Sequence, residues 1–131
     1  MSTFNAIGVA GTGVTVYRKW LDAVSDNISN INTTTRTSED AFQARYVVAQ
    51  EAQDGNGAQV GGIAYGSAEG RLEYDPDNPM ADTEGYVRRP DIDLGSQMAQ
   101  MIMAQRAYQA NLAVVDRARD SYTAAINLGK G

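Results

Sequence analysis

Residues 94–128 read LGSQMAQMIMAQRAYQANLAVVDRARDSYTAAINL, and Leu94, Met101, Tyr108, Val115 and Tyr122 recur there at every seventh position. Gln97, Ala104, Asn111, Ala118 and Ala125 each follow three residues later. A narrow stripe with this period marks one face of a long helix that needs another helix to cover it. The N-terminal stretch carries the same rhythm: Ile7, Val14, Leu21 and Ile28, with Ala10, Tyr17, Val24 and Ile31 three residues after each. A chain with one seam at each end can bring its termini together, pair with copies of itself, or both.

Between the ends the pattern changes. Asn30–Thr35 is a run of short polar side chains that bond to the nearby backbone and stop a helix. Ser38-Glu39-Asp40 suggests a short helical turn, and Phe42–Gln50 alternates as a strand with Tyr46 and Val48 on one face. Asp54-Gly55-Asn56-Gly57 signals a tight turn. Gly61–Gly66 and Arg71–Tyr74 read as further strands, and Asp75-Pro76-Asp77-Asn78-Pro79 as a rigid turn. Met80–Pro90 reads as an ordered connector in which Gly85–Val87 is extended. Asp93 is placed to cap the C-terminal helix, which Pro90 cannot continue from upstream. The fold class is therefore mainly α with a small β-rich middle. The two long terminal helices are expected to pair as an antiparallel coiled coil, with short strands and turns between them.

This gives three regions: an N-terminal heptad helix over 1–36, an acidic β-rich middle over 37–93, and a C-terminal heptad helix over 94–131. The first helix runs from about Ser2 to Ile31. Its first half carries Gly8, Gly11 and Gly13, each costing about 1 kcal/mol against alanine in a helix interior. Residues 1–13 are therefore expected to be weak or disordered in the free monomer and ordered by packing. The glycines would then let another backbone approach closely.

Composition points away from chemistry. The 131 residues include no cysteine and no histidine, which removes disulfides, thiolate metal sites, the commonest general base and the commonest metal ligand. The Gly11-Thr12-Gly13 run lacks the third glycine of a dinucleotide fingerprint, since Val16 stands there. The acidic turn at 75–79 lacks calcium-loop spacing, with Met80 and Tyr86 where glycine and glutamate are needed. Asp91 and Asp93 fit capping better than acid–base work. Met98, Met101 and Met103 fit adaptable packing better than soft-metal binding. No cofactor is expected, and the chain reads as no enzyme. Residues 37–93 hold twelve acidic and four basic side chains, whereas both ends are nearly neutral. That middle argues against nucleic acid as a partner. No stretch approaches the roughly 20 apolar residues of a membrane span, so direct membrane insertion is not expected. The start MSTFNAIGVAGTG carries no basic residue ahead of an apolar run, so no cleaved signal peptide is expected.

Several motifs carry a resemblance. Leu21 with Asn27-Ile28-Ser29-Asn30 and Thr33 resembles the N-terminal signature of flagellar rod, hook and filament axial proteins. Tyr74-Asp75-Pro76-Asp77-Asn78-Pro79-Met80-Ala81-Asp82, then Gly85-Tyr86-Val87 and Pro90-Asp91-Ile92-Asp93, is similar to proximal-rod subunits of the FlgC type. Arg106–Asn111 and Leu128-Gly129 continue the match, which covers about two thirds of the chain. The chain departs from the family pattern at Thr35–Ser38, where a Gly-Tyr pair is common. It departs again at Gln97, where an acid is common, and at Asp91, where asparagine is usual.

The resemblance implies a structural subunit of the bacterial flagellar basal-body rod, polymerising through its terminal helices into the drive shaft that transmits torque. It implies partners in copies of the chain, other rod subunits and the flagellar export apparatus. It also implies a periplasmic location reached without signal cleavage. Assembly-interface candidates are Ile7, Val14, Tyr17, Leu21, Val24, Ile28, Asn30 and Ile31 at one end. At the other they are Leu94, Met98, Met101, Tyr108, Asn111, Leu112, Val115 and Tyr122. Without the resemblance, the paired heptads also fit a coiled-coil adaptor or an export-chaperone-like binding module.

Overall fold

The computed structural model describes residues 3–131. Its order is α1 (Thr3–Ser29), β1 (Arg45–Glu51), β2 (Ala58–Tyr65), β3 (Arg71–Tyr74), β4 (Tyr86–Arg89) and α2 (Leu94–Gly129). Two long helices enclose two small two-stranded sheets in sequence, β1 with β2 and β3 with β4. The expected start at Ser2 lies outside the described residues. Among the described residues no helix is long and apolar enough to cross a membrane.

Most of the sequence signals place their elements correctly. Asp93 caps α2, its Oδ1 accepting the Ser96 amide at 2.6 Å. Three details differ. Residues 37–39 form a bend closed by the Glu39 amide on the Arg36 carbonyl at 3.0 Å, not a helical turn. The first strand starts at Arg45, three residues later than the alternation suggests. The stretch that reads as a connector holds a true strand, β4, paired antiparallel with β3 from Arg71↔Arg89 to Tyr74↔Tyr86.

The chain forms two compact units. The first contains α1 up to Leu21, Val47–Gly62 and Ile102–Gly131. In it the Phe4 and Tyr122 rings meet edge to face at 4.7 Å, and Gly13 lies against the Asn111 side chain. Rising numbers in α1 thus meet falling numbers in α2. The hairpin turn closes through the Ala52 amide on the Gly57 carbonyl at 3.0 Å. Thr12 ties this hairpin to α1: its hydroxyl donates to the Val9 carbonyl at 2.6 Å and accepts the Ala58 amide at 3.1 Å.

The second unit contains Asp22–Tyr46 and Ile63–Met101. Its core is Val24, Ala41, Ala44, Val87, Pro90 and Ile92. A single-residue bridge extends the β3–β4 sheet, Thr35 and Arg88 exchanging both backbone bonds at 2.9 Å. The Arg88 guanidinium donates to the carbonyls of Thr37 and Glu69, and Arg89 pairs with Glu73 at 2.9 Å. At the unit's centre, Asn27 is 1 % exposed and Gln97 is 2 % exposed. Asn27 Oδ1 accepts the Arg45 amide at 2.7 Å, while its Nδ2 donates to the Arg45 carbonyl at 2.9 Å and to Gln97 Oε1 at 3.0 Å.

Two outcomes follow from this unit. Asn27→Ala strips partners from three polar groups at once, so it should destabilise the chain by about 2–4 kcal/mol in denaturant titration; a loss under about 0.5 kcal/mol would contradict the clamp. Asp82 accepts the amides of Tyr86 and Glu84 at 2.9 Å and the Thr37 hydroxyl at 3.0 Å. These donors, the Tyr86 amide foremost, hold its carboxyl below the ordinary value of about 3.9. Because the folded pKa is the lower one, the stabilisation is complete above about pH 4 and vanishes as pH falls through the folded pKa. The Tyr86 and Glu84 amide resonances should therefore titrate with a midpoint below that of a free aspartate.

Candidate assembly surface

The heptad residues fall into distinct environments once the elements are in place. On α1, Val24 is buried, and Ile7, Val14, Tyr17, Leu21 and Ile28 are half-buried, as is Ile31 in the turn that follows. On α2, Met101, Tyr108, Asn111 and Val115 are half-buried, with Ala104 fully buried between them and Gln97 buried at the start. The covered face of α2 is thus the seam that the sevens mark, from Gln97 to Ala118. Alanine at 104 lets the facing surfaces close without a gap. Leu94, Met98, Leu112 and Tyr122 remain exposed.

Asn30 works at the end of α1. Its amide nitrogen donates to the Asp26 carbonyl at 2.9 Å, and its carbonyl oxygen accepts the Thr33 hydroxyl at 3.2 Å. The Asp26 carbonyl also accepts the Asn30 backbone amide at 3.1 Å, so the side chain reinforces the last turn where the helix ends.

A second row on α1 escapes the narrow-seam reading. Gly13, Trp20 and Asn27 recur every seven residues, as do Val16 and Ala23. Val16, Ala23 and Asn27 are buried, and Trp20 is half-buried. The signal was in the sequence as a parallel register one residue out of phase. Two adjacent rows mean that α1 is covered over a broader arc than a two-stranded coiled coil needs.

Within the first unit that broader arc lines a groove of about 370 Å³. Val16, Tyr17 and Trp20 form its α1 side, Val47, Ala49 and Ala58 its hairpin side, and Asn111 its α2 edge. No lining side chain is charged. Val47 and Ala49 face this groove, so the bulkier Tyr46 and Val48 face outward and are exposed. The apolar lining is suited to packing and offers no acid–base pair.

Comparison with known proteins gives a family match and full-length relatives. Residues 83–128 match the family described as flagellar basal body rod FlgEFG protein C-terminal. Over 134 aligned positions the chain is 32 % identical to the flagellar basal-body rod protein FlgC of Yersinia enterocolitica, covering 99 % of this chain and 100 % of that relative. It is 35 % identical to the Agrobacterium fabrum FlgC, covering 93 % and 91 % of the two chains. It is 26 % identical to the Bacillus subtilis FlgC, covering 99 % and 100 %.

The glycines around this surface separate into two kinds. Gly57 has φ +109°, and a Cβ there would overlap the Thr12 side chain. Gly57→Ala should therefore loosen the hairpin from α1 and cost about 1–3 kcal/mol. A Cβ at Gly8 or Gly11 meets open space. Gly8→Ala and Gly11→Ala should each stabilise the isolated chain by up to about 1 kcal/mol. Thermal unfolding of the three variants checks both signs.

Proposed function

Because the chain belongs to the FlgC family of flagellar basal-body rod proteins, we propose that its two terminal helices form an antiparallel coiled coil through which copies polymerise. The protein is a structural subunit of the flagellar rod and not an enzyme. The observation that carries the coiled-coil reading is the covered a/d seam of α2 from Gln97 to Ala118, with Ala104 at 0 % exposure in its middle. The Phe4–Tyr122 and Gly13–Asn111 contacts in one unit, and Asn27–Gln97 in the other, support the antiparallel sense.

In this reading the polymer is the drive shaft that transmits torque, the partners are copies of the chain and other rod subunits, and the location is the periplasmic part of the basal body. The flagellar export apparatus delivers the chain without signal cleavage. The glycine-weakened first half of α1 suits passage in an unfolded state, because Gly8 and Gly11 lower helix stability with no contact in the chain to offset it. The regions 1–36, 37–93 and 94–131 then act as first assembly helix, outward β-rich body and second assembly helix.

A strain lacking the gene should be non-motile, with its membrane ring intact and no rod attached. Swimming by that strain would refute the reading. Hydrogen exchange checks the export component: residues 3–13 should exchange quickly in the free monomer and slowly in assembled rods. Strong protection in the monomer would contradict it.

A further inference from the structure

The tip of the β1–β2 hairpin carries two dipeptides, Asp54-Gly55 and Asn56-Gly57, in which a side-chain carbonyl carbon can be attacked by the next backbone nitrogen. Attack of this kind closes a succinimide ring, and a glycine in second place leaves the nitrogen without a side chain to shield it. Asn56 is the chain's only asparagine that precedes glycine. The fold treats the two nitrogens differently. The Gly55 amide is engaged, donating to the Ala52 carbonyl at 2.8 Å. The Asp54 carboxylate is engaged as well, its Oδ1 accepting the Asn56 amide at 3.0 Å. By contrast, no hydrogen bond among the described residues occupies the Gly57 amide, and the Asn56 side chain stands exposed at the tip. Exposed tips of small and polar residues are where covalent change concentrates.

We propose that Asn56-Gly57 is a site of spontaneous covalent modification: the folded chain deamidates there to aspartate and isoaspartate, and the isoaspartate form releases the hairpin tip from α1. The Gly57 nitrogen loses its proton to solvent base and bonds to Asn56 Cγ. The Cγ–Nδ2 bond breaks, and that nitrogen takes up a proton and leaves as ammonia. Water then opens the ring at one of its two carbonyls. Breaking the bond from nitrogen to Cγ gives aspartate in an unchanged main chain. Breaking the bond from nitrogen to the Asn56 backbone carbonyl carbon gives isoaspartate, with the main chain now running through Cβ and Cγ. Water is the only co-reactant, and nothing is oxidised or reduced.

The isoaspartate product matters because the tip has no slack. Gly57 has φ +109° and lies where an added Cβ would overlap the Thr12 side chain. The next amide, that of Ala58, donates to the Thr12 hydroxyl at 3.1 Å. An extra methylene just ahead of Gly57 displaces both groups, so the Ala52–Gly57 closure and the Ala58–Thr12 bond do not survive together. Either product also places a second carboxylate beside Asp54, which repels it. None of this needs a polymer, so the inference stands apart from the rod-subunit reading.

The test ages the purified full-length chain at neutral and at mildly alkaline pH. Trypsin releases residues 46–71, in which Asn56 is the only asparagine. That peptide should gain the mass of an amide-to-acid exchange and split into aspartate and isoaspartate forms. The change should be faster at the higher pH, because the attacking nitrogen is the deprotonated one. Asp54 should stay unisomerised in the folded chain and isomerise in urea, and Asn56→Gln should lose the product. Protection of the Ala58 amide from hydrogen exchange should fall with the isoaspartate fraction. It should persist in Asn56→Asp, which has the new charge without the extra methylene. An Asn56 that survives in the folded chain while it deamidates in urea would overturn the proposal, as would equal isomerisation of Asp54 in the folded chain. Full Ala58 protection in the isoaspartate form would overturn the release of the tip.

Discussion

The second unit turns on one amide side chain. A strand that begins after a long connection exposes an N–H and a C=O that need partners. Asn27 supplies both to Arg45 and uses its remaining donor on Gln97. The amide group imitates a peptide unit, so α1 pairs with the start of β1 as a neighbouring strand would. Once Arg45 is held, the two-residue period of the strand is fixed. Val47 and Ala49 then turn to the groove, and Tyr46 and Val48 turn to solvent. A one-residue slip would reverse all four. Because Asn27 and Gln97 are buried, each alternative arrangement leaves polar groups unmatched, and that penalty is what makes the register unique.

Small residues supply the other constraint. Gly13 brings α1 up to Asn111, Ala104 leaves no space in the seam, and Gly57 lets the hairpin tip reach Thr12. At Gly13 and Gly57 close contacts compensate for the backbone entropy that glycine brings. At Gly8 and Gly11 nothing within the chain does so. Gly8 and Gly11 thus lower the helix propensity of the first half of α1, where an added Cβ would meet only open space.

Much of this was legible in the sequence. The sevens identified the covered face of α2, because period is a local property that any long helix must express. The Asp54–Gly57 turn and the Asp93 cap were equally local. The losses were tertiary. A repeat tells which residues share a face and not how wide an arc is covered, so the row of Val16, Trp20, Ala23 and Asn27 went unread. The alternation put Tyr46 and Val48 on one face without saying which face turns inward, and it is Val47 and Ala49 that line the groove. The 38–40 segment carried helix-starting residues, but the Thr35–Arg88 bridge holds the chain just before it extended, and the Arg88 guanidinium takes the Thr37 carbonyl that a helical turn would use. Among the candidate seam residues, the sequence could not separate half-buried Tyr108 from the more exposed Leu112.

Charge and apolar surface work at different distances in this molecule. The surplus acids of 37–93 act over about a Debye length, roughly 8 Å at physiological salt, and they repel copies approaching through their middles. The exposed apolar side chains of α2, Met103 and Val114 among them, act only on contact. The middle's four arginines all have partners, Arg45 with Asp26 at 2.6 Å, Arg71 and Arg89 with Glu73 and Arg88 with backbone carbonyls. Against twelve acids they leave the middle strongly negative. The two terminal helices are nearly neutral and meet less electrostatic resistance than the middle does. The acidic middle thus disfavours one set of encounters between copies and leaves the nearly neutral terminal helices electrostatically permissive.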